Sequence, residues 1–344
     1  MIEYILLIVA LSILCAYGRS KWAFLLAFVM LLVIGGMRDV SVGTDSKNYM
    51  EYFQQYVNDP SSLYHTNEPF YLLLQFISVL LGWGYGGLQF ISMFIMLITL
   101  FFVISKWSIN PVYSVLCYVL LYFFFYSFNT TRQFLAIPFV LLSYYYIINR
   151  NWLYYTLCLV AAIMFHYSAA ISIVAVPLYY LNIRRDVWII LLVVSFLIGL
   201  TPIAQHVTQL LAQYTAFGDY ASDAMEFRKS MFSLSRFLLN IYSICLLYWF
   251  YDDNDDFLLS LLMVGVCMLN LFSFQPVIGR LCQFFTIIQI FIIPAIPVYD
   301  SERRLFNSLA VGSIAYMVVA WLYLISSNIG EIVPWQLWEG SMFG

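Results

Sequence analysis

The sequence predicts an all-α fold: a polytopic transmembrane helical bundle of about twelve spans, bounded near ten and thirteen, with short amphipathic or re-entrant helices in its outer loops. Three observations carry this expectation. Of the 344 residues, 63% are hydrophobic and only 10% are charged, where ordinary soluble domains carry about 25% charged residues. Apolar runs at 4–17, 22–35, 88–105 and 305–325 recur along the whole chain, and a helix needs roughly 20 such residues to cross the hydrocarbon core. The runs are continuous, which argues against the alternating segments of a barrel. They also lack the polar face that a soluble helix presents.

The elements follow in order. Residues 1–17 and 22–37 read as two spans joined by Arg19-Ser20-Lys21. That basic turn belongs on the cytoplasmic side by the charge bias of short loops, which places the N-terminus outside. The first segment carries Glu3 and no basic residue before its apolar run, so it reads as a retained span and not as a cleaved leader. Residues 38–68 form a polar stretch in which Thr44 or Asp45 can cap a short surface helix starting near Ser46. Residues 69–81 are apolar but short, and Gly82-Trp83-Gly84-Tyr85-Gly86-Gly87 after them resists regular helix.

The later runs are 88–105, 111–128, 134–149, 152–165, 168–182 and 187–200, followed by a second polar excursion at 201–230. Runs at 231–251, 257–274, 281–296 and 305–325 complete the membrane part. The chain reads as a single integral membrane domain, 1–344, with the outer loops 38–69 and 201–230 bordering a cavity.

Two topologies compete. In the first, 69–81 dips in without crossing; Lys106, Arg150, Arg184, Arg185, Arg303 and Arg304 are then cytoplasmic, and Arg132, His166, Arg280 and both long loops lie outside. In the second, 69–81 crosses and 152–182 is one tilted helix, which puts Arg132 inside and His166 at mid-membrane. The first gathers more short-loop basic charge on the cytoplasmic side and is preferred.

Composition also excludes functions. A net charge of −3 gives no support for a nucleic-acid partner. The six cysteines (15, 117, 158, 245, 267, 282) lie mostly in apolar runs with no CxxC pair, and read as small packed side chains. No phosphate-binding GxxxxGK[ST] and no HExxH occurs, and only three histidines are present, at 65, 166 and 206. Neither a metal site nor a cofactor is expected.

What needs an explanation is a set of polar residues near the outer ends of spans: Arg38, Asp45, Glu68, Arg132 with Gln133, His166, Arg236 and Arg280. An ionised group at membrane depth is costly and usually faces a cavity or a partner. The bland account makes each an interfacial anchor, with its stem in apolar surroundings and its head at the water. Sharing one face favours a cavity instead. A guanidinium offers planar paired donors and keeps its charge, which suits a diphosphate. Asp45, Glu68 and His166 admit general acid or base work.

These residues occur in an ordered set: Gly36-Met37-Arg38, then Val42-Gly43-Thr44-Asp45 with Tyr49 and Phe53, then Glu68-Pro69. Next come Asn129-Thr130-Thr131-Arg132-Gln133 with Ala136, and His166-Tyr167-Ser168-Ala169. Arg236, Arg280 and Pro334-Trp335 follow. Over roughly 1–340 the chain resembles the EpsG family of bacterial polysaccharide polymerases, related to the Wzy-type O-antigen polymerases. It departs from the family pattern at Ser46, where an aromatic residue is frequent, and at Trp335, where a tyrosine is frequent.

The resemblance implies a metal-independent glycosyltransferase of the bacterial cytoplasmic membrane, acting at its outer face. Its substrates would be undecaprenyl-diphosphate-linked oligosaccharides, destined for O-antigen, capsule or exopolysaccharide. Membrane lipids, a chain-length regulator and a flippase of the same pathway are the implied partners. On this reading Arg38, Arg132 and Arg280 meet the diphosphate, with Arg236 and Gln133 also binding substrate. Asp45 or His166 takes the acceptor proton, and Glu68 orients an arginine. A lipid-linked glycan flippase would also need an arginine-lined cavity, but would spread its charges along a path through the membrane. A membrane O-acetyltransferase would leave the arginine set unexplained.

Overall fold

The computed structural model describes residues 1–18, 20–63, 68–203, 233–250, 256–272, 276–299 and 304–339. Arg19 of the expected basic turn, most of the expected outer loop at 201–230, Asp252, Asp253 and Asp255, Arg303, and the histidines at 65 and 206 lie outside the described residues. Among the described residues the regular structure is helical, with one isolated bridge, Arg38 to Leu337.

The helices are α1 (Ile2–Cys15), α2 (Lys21–Gly36), α3 (Ser46–Asn58), α4 (Pro69–Leu80), α5 (Tyr85–Trp107), α6 (Pro111–Leu120), α7 (Phe123–Asn129), α8 (Thr131–Ile148) and α9 (Trp152–Phe165). A 3₁₀ turn, Tyr167–Val174, leads to α10 (Ala175–Leu181) and α11 (Arg185–Gly199). Then come α12 (Leu234–Phe250), α13 (Phe257–Phe272), α14 (Pro276–Leu281), α15 (Gln283–Thr286), α16 (Gln289–Tyr299) and α17 (Arg304–Ser326).

Local chemistry sets several ends. The side chains of Ser20, Asn110 and Asn151 accept from the backbone N–H of Ala23, Tyr113 and Tyr154, each satisfying a donor that a helix start leaves unpaired. Pro69 and Pro111 open α4 and α6, where a missing N–H costs nothing. The glycine-rich stretch after Leu81 is helical sooner than its composition suggests, since α5 begins at Tyr85 and includes Gly86 and Gly87. The run at 111–128 is not one helix either. Tyr122 adopts φ 68°, and α6 and α7 meet at a bend of 56°.

Two helices among the described residues, Tyr85–Trp107 and Leu309–Ser326, are long and apolar enough to cross a membrane. The number rises to four if each of two bent helix pairs counts as one span. The 23 residues of α5 extend about 34 Å, which matches a bilayer core. Helix length therefore does not confirm the expected twelve crossings. Most of the remaining apolar segments are helices of 10–17 residues, such as 167–181, which begins as 3₁₀, while α8 has 18 residues with Arg132 and Gln133 in its first turn.

The described helices group into two compact units, Met1–Ala170 with Gln289–Gly344, and Ile171–Ile288. In both, large apolar side chains point outward. In the first, α1 buries Tyr4, Leu7 and Leu11 and exposes Ile2, Leu6, Val9 and Ile13; in the second, α11 exposes Ile190, Val193 and Leu197. Meanwhile Gln75, Gln89, Ser92, Ser114, Ser143, Ser195 and Asn270 are buried. Apolar surface outside and small polar groups between helices is what lipid favours.

The first unit is built from antiparallel pairs. Phe24 and Phe28 of α2 meet Phe101 and Phe94 of α5, and Phe139 and Tyr146 of α8 meet Phe165 and Tyr154 of α9. The C-terminal end of α2 therefore lies beside the start of α5, and the start of α8 beside the end of α9. The segment after α17 returns to that end, where Tyr4 donates to the Ile332 carbonyl at 2.8 Å and Tyr122 to the Ile329 carbonyl at 2.9 Å. Helix α4 starts and finishes there too. Tyr71 of its first turn meets Tyr49 of α3 at 6.0 Å, and Tyr85, five residues past its last turn, lies 6.3 Å from Phe53 of the same helix. Both ends of this 12-residue helix, about 18 Å long, therefore lie near α3.

In the second unit the centre is polar. Asn240 and Asn270 exchange side-chain hydrogen bonds of 2.8 and 2.9 Å, and Asn270 also donates to Ser195 at 2.9 Å. This ties α11, α12 and α13 together through amides that would be costly to leave unpaired in an apolar setting.

Candidate active site

Arg132 and His166, at the start of α8 and just past the end of α9, meet one carboxylate. Glu68, the residue before α4, accepts from Arg132 Nη1 through Oε2 at 2.7 Å and engages His166 Nδ1 through Oε1 at 2.8 Å. The partners are 64 and 98 residues away in the chain. Glu68 is 5% exposed, while Arg132 and His166 keep 24% and 26%, so the carboxylate is enclosed and its two partners still open to a ligand. Burial alone would raise the Glu68 pKa, but the hydrogen bond from His166 and the charge of Arg132 hold it below the usual 4.5. With Glu68 ionised, His166 Nδ1 donates that hydrogen bond, and a neutral ring keeps Nε2 as an acceptor.

Arg132 also lies over aromatic faces, 5.8 Å from the Tyr49 ring and 5.9 Å from that of Tyr71. The same two tyrosines also act electrostatically on Arg38. Arg38 itself is 2% exposed. It donates to the carbonyls of Gly35 and Phe128, the latter at 3.3 Å, and its guanidinium carbon sits 4.4 Å over the Phe128 ring. Its Nε has no partner, and among the described residues no carboxylate pairs with it. Burial pushes Arg38 down to about 10, which still leaves it charged near neutrality. A buried cation without a counter-charge is unfavourable, and an anion beside it relieves that cost.

The remaining expected residues divide. Asp45 heads α3 without capping it through its side chain; it is half-buried and acts electrostatically on Tyr49. Gln133 is buried in the first turn of α8, beside Arg132 in sequence. The polar break expected over 129–133 contracts to Thr130, because α7 runs through Asn129 and α8 starts at Thr131. Arg236 and Arg280 belong to the other unit. Arg236 donates to the Asn270 carbonyl at 3.3 Å near the end of α13, and Arg280 is exposed in the last turn of α14. No group of three metal-ligating side chains occurs among the described residues.

In the sequence Tyr49 stands out only as part of a motif, and Tyr71 and Gln75 do not stand out. Glu68, Tyr71, Gln75 and Ser78 fall on one buried stripe of α4. The signal was their spacing of three and four within a run whose average is apolar.

Apolar side chains facing outward on both units, with small polar groups buried between helices, define a helical membrane protein. The chain belongs to the EpsG family, whose model matches residues 21–337, nearly the whole length. No curated protein and no solved structure matches it. Family membership points to polysaccharide biosynthesis and, in general terms, to a polysaccharide polymerase.

Proposed function

We propose that this chain joins polyprenyl-diphosphate-linked oligosaccharide repeat units into a longer polysaccharide, by glycosyl transfer at the outer face of a bacterial cytoplasmic membrane. The observation that carries the reading is the single Glu68 carboxylate holding both an arginine and a histidine that remain open to a ligand. Family membership supplies the general role; the donor, acceptor and residue roles are inferred from the chemistry.

The growing chain on its carrier is the donor, and a hydroxyl at the non-reducing end of a new unit is the acceptor. The acceptor oxygen bonds to C1 of the donor sugar as the C1–O bond to diphosphate breaks. The bonding pair leaves with the diphosphate, and the acceptor proton passes to His166 Nε2. Charge grows on the departing diphosphate, so a guanidinium that grips it harder than the intact ester lowers the barrier. Arg132 takes that role, and Arg38 supplies a second, buried positive charge. Glu68 fixes the His166 tautomer and the direction of Arg132, which makes it a positioning residue. Asp45 is the other candidate base. Direct attack inverts the anomeric centre. A chain-length regulator and a flippase supplying the units are the partners this reaction calls for.

The test incubates the purified protein in lipid with a synthetic polyprenyl-diphosphate repeat unit. A ladder of longer glycans is expected. Unchanged substrate, together with movement of that lipid between leaflets, would replace the reading with a transporter.

A further inference from the structure

The two arginines of the site come from distant helices, and one short stretch of chain touches both. Phe128 presents its carbonyl and ring to Arg38, and Arg132 follows four residues later. Between them, Asn129 is buried at the end of α7. Its Nδ2 donates to the Gly330 carbonyl at 3.1 Å, and its Oδ1 accepts from the backbone N–H of Asp45 at 3.4 Å. One amide therefore ties the α7–α8 junction to the loop before α3 and to the C-terminal segment.

The surrounding backbone is shaped to admit that amide. Gly43 has φ +110° and Gly330 has φ +83°, a region that side chains other than glycine disfavour. A Cβ on Gly43 would lie 3.0 Å from Asn129 Oδ1, and one on Gly330 would collide with Asn129 Nδ2. The two glycine segments are also joined to each other, with Gly43 N–H donating to the Glu331 carbonyl at 2.9 Å and Thr44 N–H to the Gly330 carbonyl at 3.0 Å.

We infer that Asn129 is a positioning residue of the transfer reaction, fixing the spacing between Arg38 with the Asp45 loop on one side and Arg132 on the other. It touches no substrate and acts through the groups it holds. The inference rests on the proposed diphosphate reading, because it assigns the spacing of the same two arginines. A shift of about 1 Å in a catalytic group can cost on the order of a hundredfold in rate, so a clamp of this kind has leverage without contact.

The test measures glycan-ladder synthesis by the full-length protein in lipid, with thermal unfolding alongside. Asn129→Leu should unfold within a few degrees of wild type and lose at least about tenfold in rate. Introduced into Arg38→Lys, it should add less than about twofold, because both changes damage one arrangement. Wild-type activity in Asn129→Leu, or a loss that multiplies in full with that of Arg38→Lys, would overturn the inference. Asn129→Asp and Gly330→Ala strike the same contact from its two sides and are read in the same way if Asn129→Leu does not accumulate. Full ladders from both Arg38→Lys and Arg132→Lys would instead remove the diphosphate reading. Losses in those two beside full activity in the Asn129 variants would remove this inference alone.

Discussion

Glu68 and Arg132 form a 2.7 Å ion pair in which the carboxylate is enclosed and the guanidinium is a quarter exposed. A pair built only for stability gains little from that asymmetry. Here it holds a partly exposed cation beside the Tyr49 and Tyr71 rings.

Arg132→Lys separates gripping from anchoring. An anchor at the membrane edge tolerates lysine, which reaches water equally well. A fork that binds a diphosphate does not, since an ammonium is a point charge. Both Arg132→Lys and Arg132→Ala should reach near wild-type levels in the membrane and lose at least about tenfold in polymerisation, only about 1.4 kcal/mol of transition-state stabilisation. Chain-length ladders at matched protein abundance give the answer. Long chains from Arg132→Lys would return Arg132 to the anchoring class.

Glu68→Gln removes the charge that both partners share. It should destabilise the protein by about 1.5–3 kcal/mol, the scale of a charged hydrogen bond, and lower activity at least about tenfold. The folded pKa of Glu68 lies below 4.5, so its contribution is complete above that value and is lost as pH falls through the folded pKa. The difference in unfolding temperature between wild type and Glu68→Gln should therefore hold constant from pH 7 to about pH 5 and narrow only in stronger acid. A difference already shrinking near pH 6 would show that Glu68 is not held in its ionised form.

Accessibility labelling checks the orientation of the first unit. Single cysteines replacing Asn48 on α3 and Gln336 in the C-terminal segment should react with an impermeant reagent in whole cells. Cysteines replacing Ser20 and Ser105, at the opposite ends of α2 and α5, should react only after permeabilisation. Outside labelling at Ser105 would place the Glu68 cluster on the cytoplasmic side and end the proposed outer-face reaction.

Gln75→Leu tests the buried stripe of α4. Both polar atoms of the Gln75 amide lack partners, and the side chain is fully enclosed. Replacing an unpaired buried amide with an apolar group of similar size is neutral or stabilising, by about 1 kcal/mol. Thermal unfolding should rise or stay level with glycan synthesis unchanged. A clear drop in stability would mean that the amide is satisfied in the folded protein.

The sequence by itself determined the class, because hydrophobicity is a sum over neighbouring residues and runs such as 88–105 leave no soluble alternative. It also marked Arg38, Glu68, Arg132 and His166, because charge is rare enough in such a chain to stand out. Helix lengths escaped it: Tyr122 bends one apolar run into two helices, and hydropathy does not register a backbone torsion. Only the tertiary structure decided which marked residues meet. Glu68 reaches partners 64 and 98 positions away because the start of α4 packs beside the end of α9, where α8 starts, a consequence of helix packing that no local pattern encodes. Tyr71 and Asn129 became visible for the same reason. Tyr71 sits in a run that averages as apolar, and the amide of Asn129 matters only once Gly43 and Gly330 are folded against it.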